Sequence, residues 1–388
     1  MGSDNATDMQ WVRGVNLGGW LLLERFVTPY LFAISDCDLR GDFRFFPGQL
    51  GGPPPDANPS NAIGGLDKSN ITLCKPHLPY PIDEYTLSAV FPSKPLARAY
   101  LERHWQNFVT YQDLQDIKDS GLDYVRVPLP HWVFGDIREG EPWVDGQWPF
   151  FVRLVSWCRK LGLQVWPDIH TAPGSQNGFD NSGQFLENGP TGKGWSDSDI
   201  NVSRSIDVVK ALVQRIKQEG LQDVVTGIGV LNEPFKDVPI DVMKRFNEAT
   251  LSIIREGLGK DIKVFIPDLF NSTIWNDGYW SDPEKHANTI LDSHYYHVFA
   301  EEPRALSPKQ HIAYVCRYNA RYTTGCCYQK DQDGQVLPSK GISRMIGEWS
   351  AAFDTLVVDK LAAVMDEIVS RNTFLVRKVF FFIKQSYF

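Results

Sequence analysis

Short runs rich in β-branched and aromatic residues recur along this chain, with helix-like stretches between most of them, and this alternation narrows the possible folds more than any other feature. The runs cover residues 12–16, 124–127, 164–169, 227–231, 263–267, 290–294, 343–347 and 379–383. Segments with apolar residues three and four apart, at 97–120, 150–161, 203–218, 240–257 and 355–371, are expected to be helices. Strand followed by helix, repeated, calls for a parallel sheet of the α/β class. Eight strands with polar residues gathered just past their ends favour closure into a (β/α)8 TIM barrel over an open doubly wound sheet. No glycine-rich phosphate-binding pattern follows the first run, which argues further against the nucleotide-binding alternative.

At 388 residues the chain is accounted for by one catalytic barrel domain over 1–388 with loop insertions. One insertion is expected at about 35–95, where GGPPPDANPS and NAIGGLDKSN show little periodicity. A second irregular segment at about 301–340 carries Cys316, Cys326 and Cys327 and could form another wall of the cleft.

The net charge of −8 argues against a polyanionic partner, so no nucleic acid is expected. No apolar run approaches the roughly 20 residues a membrane helix needs. The cysteines, which also include Cys37, Cys74 and Cys158, show no metal-binding spacing. Neither a metal nor an organic cofactor is expected, and a monomer is the simplest assembly. Asn5, Asn70, Asn201 and Asn271 each begin an N-x-S/T triplet, which suits an extracellular or cell-surface protein. MGSDNATDMQ lacks the basic and apolar regions of a secretion signal, so such a segment is expected to have been removed or to lie upstream.

Two glutamates occupy matching contexts, Glu233 in GVLNEPF and Glu348 in RMIGEWS, each directly after a β-rich run. In a parallel barrel both side chains reach the same mouth. Retaining glycosidases need such a pair, one carboxylic acid to protonate the leaving oxygen and one carboxylate about 5–5.5 Å away to attack the anomeric carbon. Other strand ends add suitable polar groups: Arg126 in YVRVP, His170 after WPDI, Asn232 beside Glu233, and His294 and Tyr296 in LDSHYYHVF. Arg126 beside Glu348 would keep that carboxylate ionised. Asn232 could hold a sugar 2-hydroxyl.

In order along the chain stand RGVNLGGWLLLERFVTPYLF, YVRVP, DIHTAPGSQNGFDNSG, LNEP, DSHYYHVF and GEWS. From about Trp11 to Glu348 the sequence resembles the eukaryotic exo-β-1,3-glucanases of glycoside hydrolase family 5. The resemblance implies a (β/α)8 barrel that releases terminal glucose from β-1,3-glucan with retention. It makes Glu233 the proton donor and Glu348 the nucleophile. It also makes Glu24 in LLLERF a ligand of the terminal glucose, and Phe179 and Phe299 aromatics flanking the cleft mouth.

Departures from the family leave substrate choice open between β-1,3-glucan, β-1,6-glucan and a glucosylated lipid. Thr171 stands where glycine is common, and the 35–95 loop is long. After GEWS the chain departs most, ending in VFFFIKQSYF without the family's final helix. Residues 379–383 are expected either to close the barrel, with Phe382 in place of the tryptophan under the bound glucose, or to form a non-native tail. The altered end also admits a catalytically impaired glucan-binding protein.

Overall fold

The computed structural model describes residues 12–32, 81–282, 284–299, 303, 305–307, 309–311, 313–314 and 343–350. The run at 379–383, the helix expected at 355–371, most of 301–340 and every cysteine except Cys158 lie outside the described residues.

Seven of the expected runs form strands: β1 (Gly14–Asn16), β2 (Tyr124–Leu129), β3 (Gln164–Ile169), β4 (Gly227–Gly229), β5 (Lys263–Pro267), β6 (Thr289–Tyr295) and β7 (Ser343–Trp349). They pair in chain order, every ladder parallel. The sheet curls until its outer strands meet at the carboxyl end. There the Asn16 side-chain amide, on β1, donates to the Gly347 carbonyl of β7 at 2.9 Å. The architecture is a (β/α)8 barrel.

The helices are α1 (Glu84–Val90), α2 (Lys94–Asn107), α3 (Tyr111–Asp119), α4 (Trp148–Leu161), α5 (Lys193–Ser196), α6 (Asp199–Gln218) and α7 (Ile240–Leu258). Two expectations need correction. The single helix expected at 97–120 is two, because Thr110 is extended and caps α3 in a reciprocal box with Asp113, whose carboxylate accepts the Thr110 N–H at 2.7 Å. The insertion expected to run to residue 95 ends in structure, since Asp83 caps α1 in a box with Thr86.

Inward-facing residues of the strands stack in layers, as a side-chain period of two requires. At the floor, Tyr124, Trp166 and Phe265 form a buried aromatic cluster against Val12, Ile290 and Met345. Gly227 is needed there, because a Cβ on it would lie 2.6 Å from the Phe265 ring and 2.9 Å from Trp166. Two residues further along their strands come Arg126, Asp168 and Asp292, all buried. Outside the barrel, Val125, Val127, Val165, Ile228, Val264, Ile266 and Leu291 pack in the main core, which also takes in the apolar faces of the helices. Asn201, one of the sequon asparagines, is half-buried in α6 and commits its amide to the Gly194 carbonyl at 2.9 Å.

Candidate active site

Arg126 organises the mouth from β2. Its Nη1 donates to Asn16 Oδ1 at 3.0 Å and to Glu348 Oε1 at 2.5 Å, and its Nη2 to Asn232 Oδ1 at 2.8 Å. Nη2 also pairs with Asp168 Oδ2 at 3.1 Å. One guanidinium thus ties together the ends of β1, β3, β4 and β7, which suits its planar fork of five donors.

Glu348 reaches this hub through a bulge. The β6–β7 register runs Ser293 to Ile346 and then His294 to Glu348, so Gly347 is an extra residue on β7. The shift sets Glu348 opposite His294. Its Oε2 accepts the Tyr296 hydroxyl at 2.8 Å. Burial alone would push this carboxyl up, but the charges of His294, Arg126 and His170, with the Tyr296 hydroxyl, outweigh it and hold the group at about 2.

Glu233, just past β4, has φ of 45°, the left-handed region that a residue with a side chain visits at a cost. Asn232 before it is anchored by its N–H to the Ile169 carbonyl at 2.9 Å. The Gln176 amide holds the carbonyls of both His170 and Asn232 at 2.9 Å, locking the ends of β3 and β4 together. Glu233 Oε1 meets His294 Nδ1 at 2.7 Å, and its Oε2 accepts from Asn181 Nδ2 at 2.8 Å.

His170 lies with Nδ1 2.8 Å from Asp168 Oδ2 and Nε2 3.3 Å from Asn232 Nδ2. Burial opposes charge on this ring, yet the Asp168 carboxylate raises its proton affinity. Because Asn232 Oδ1 is taken by Arg126, its amide must face Nε2. Glu24, in the turn after β1, accepts the Gly19 N–H at 2.9 Å. Burial pushes its carboxyl up to about 7, with His170 opposing and Glu348 adding to the rise.

The structure therefore brings Arg126, His170, Asn232, Glu233, His294, Tyr296 and Glu348 into one linked cluster, with Glu24 within electrostatic range. The two aromatics stand further out. Phe299 is 74% exposed beside Tyr296, and Phe179 is half-buried against Phe235. Sequence reasoning missed Asn16, Asp168, Gln176, Asn181 and Asp292. Asp168 and Asp292 carried a signal, each standing two residues before a strand-end histidine and so on the same face. It also missed Phe270, which lines the cleft with Glu233 and His294.

Glu233, His294 and Glu348 each offer an atom to a common point, with these atoms within 4.8 Å of one another. Three such ligands could hold a cation. Here, however, His294 Nδ1 is engaged with Glu233 and the Arg126 charge lies on Glu348, an arrangement suited to moving protons.

A family model described as Cellulase (glycosyl hydrolase family 5) matches residues 92–373. The chain belongs to glycosyl hydrolase family 5. It is 30% identical over 356 residues to a glucan 1,3-beta-glucosidase of Lachancea kluyveri, covering 90% of this chain and 66% of that protein. To a glucan 1,3-beta-glucosidase of Kluyveromyces lactis it is 31% identical over 348 residues, covering 88% of this chain and 66% of that one. The chain thus spans just under two thirds of the length of these relatives. In fold it is similar to a crystal structure of rutinosidase from Aspergillus niger, with a TM-score of 0.60 at 18% identity over 90% of this chain and 84% of that one.

Proposed function

We propose that the chain is a retaining glycoside hydrolase that releases glucose from the end of β-1,3-glucan. The observation that carries the reading is the approach of the Glu233 and Glu348 carboxylates, with oxygens within 4.8 Å. Oxygens this near suit the close pairing of retaining enzymes, whose carboxyl groups stand about 5–5.5 Å apart.

The surroundings divide the roles. Glu348, held by Arg126 and Tyr296, stays ionised and attacks the anomeric carbon. Glu233 meets an amide and an imidazole, and no guanidinium among the described residues. It gives its proton to the glycosidic oxygen as the bond to that oxygen breaks, leaving a glucosyl ester on Glu348. A water then attacks the ester carbon, yields its proton to Glu233 and frees Glu348, so configuration is retained. In this reading Asn232 binds the 2-hydroxyl and Glu24 the outer hydroxyls of the terminal glucose. The linkage and the exo mode draw support from the relatives' names. An extracellular or cell-surface setting and a monomeric state are part of the same proposal.

Laminarin digested in an NMR tube tests it. β-Glucose should appear first and alone. Early α-glucose would reject retention, early oligosaccharides would reject exo action, and faster cleavage of β-1,6-glucan or a glucosyl lipid would reassign the substrate. Glu348→Ala should abolish turnover of all glucosides, whereas Glu233→Ala should keep some glycosylation with an activated aryl glucoside and be rescued by azide. The reverse pattern would exchange the roles.

A further inference from the structure

A three-residue pattern occurs at the ends of two strands: Asp168-Ile169-His170 after β3 and Asp292-Ser293-His294 within β6. In each, the aspartate lies one layer deeper than its histidine on the same face. In each, the next strand offers a glycine. A Cβ on Gly229 would lie 2.2 Å from Asp168 Oδ1, and one on Gly347 would lie 2.1 Å from Asp292 Oδ1. Both carboxylates fill room that a neighbouring side chain would otherwise take.

The units differ in what their rings face. His170 meets a carboxylate on one nitrogen and the Asn232 amide on the other. His294 meets carboxylates on both. Its Nδ1 is 2.7 Å from Glu233 Oε1 and 3.4 Å from Glu348 Oε2, and its Nε2 is 3.6 Å from Asp292 Oδ2. Asp292 Oδ1 is buried and has no hydrogen-bond partner among the described residues. Two further charges act on the pair, Asp268 from the end of β5 on both and Arg126 from β2 on Asp292.

We propose that Asp292 is a positioning residue that keeps both ring nitrogens of His294 protonated, so that Nδ1 can only donate to Glu233 and cannot take the proton Glu233 needs. The proposal rests on the reading of Glu233 as the acid/base. A ring with its single proton on Nε2 would present a lone pair at Nδ1, 2.7 Å from the acid, and would compete with the glycosidic oxygen for that proton. A ring with two protons cannot take that proton, and its charge favours the carboxylate that Glu233 becomes once the proton has passed to the glycosidic oxygen. Although burial opposes the charge, Glu348 and Asp292 raise the ring's proton affinity well above the ordinary value.

Imidazole nitrogen NMR on the full chain tests this, with the His294 signals assigned by their loss in His294→Gln. In the unsubstituted protein both His294 nitrogens should be protonated at neutral pH, and a neutral ring there would overturn the proposal without any Asp292 variant having to fold. In Asp292→Asn the His294 titration should move down by about 1–3 pH units. Its kcat/KM on a laminari-oligosaccharide should fall at least about tenfold, and much less on an activated aryl glucoside whose leaving group needs no proton. An unmoved titration, or equal losses on both substrates, would overturn it. Azide rescue of Glu233→Ala, run alongside, separates the two ideas. Rescue with an unmoved His294 defeats only the role of Asp292, and failed rescue defeats the acid/base assignment beneath it.

Discussion

Replacing Tyr296 by phenylalanine takes a single oxygen from the surroundings of Glu348, a donor 2.8 Å from Oε2, and leaves Arg126 and His294 in place. A hydrogen bond to a charged group contributes about 1.5–3 kcal/mol. At about 1.4 kcal/mol per pH unit, its loss should raise the Glu348 carboxyl by about 1–2 units from its value of about 2. The group is depressed in the folded protein, so its ionised form is lost only as pH falls through that value. The variant should therefore lose activity earlier on acidification, with the acid limb of kcat/KM on an aryl β-glucoside moving up by roughly 1–2 pH units and the alkaline limb fixed. Stability follows the same sign. The contribution of this carboxylate is present above the ordinary value of 4.5 and is lost toward about 2, so acid unfolding of the variant should begin at higher pH. An unmoved acid limb, or movement confined to the alkaline limb, would refute the assignment of Glu348 as the ionised nucleophile supported by Tyr296.

Glu24, with its carboxyl near 7, should make KM change with pH around neutrality, and Glu24→Gln should raise KM and flatten that dependence; an unchanged KM profile would remove Glu24 from the sugar site. Thr110→Ala should cost about 1 kcal/mol through loss of the α3 cap, read as a lower urea midpoint with the pH–rate profile intact. Gly227→Ala drives a methyl group into Phe265 and Trp166 and should cost about 1–3 kcal/mol in the same assay. EDTA should leave the rate unchanged, because the carboxylate pair supplies both proton and nucleophile; complete, reversible loss would contradict this.

Residues read by strand position were legible from sequence. His170, Asn232, Glu233, His294, Tyr296 and Glu348 each follow or lie near the end of a β-rich run, Arg126 points inward from within one, and a parallel barrel sends such positions to one mouth. The groups that escaped depend on contacts between distant segments. Asn16 matters because β1 and β7 meet, 331 residues apart in sequence. Gln176 and Asn181 act from a loop whose path no periodicity reports. The bulge at Gly347 is invisible in sequence because it is a property of a pair of strands. Thr110 was a different kind of miss. Its T-x-x-D capping signal was present, but the apolar spacing across 97–120 overrode it.

The aromatic floor of Tyr124, Trp166 and Phe265 has a consequence for the order of events. Among the described residues this cluster fills the bottom of the barrel and leaves no drain there, so incoming water and the outgoing sugar would share the mouth at the carboxyl end. The proposed ester on Glu348 then waits behind its own departing product, and whichever hydroxyl comes through the door next settles its fate. Under the proposed reaction, that visitor in dilute glucan would be water and the chain would shorten. In concentrated glucan another sugar arrives as readily, and the same two carboxylates would lengthen one chain at the expense of another.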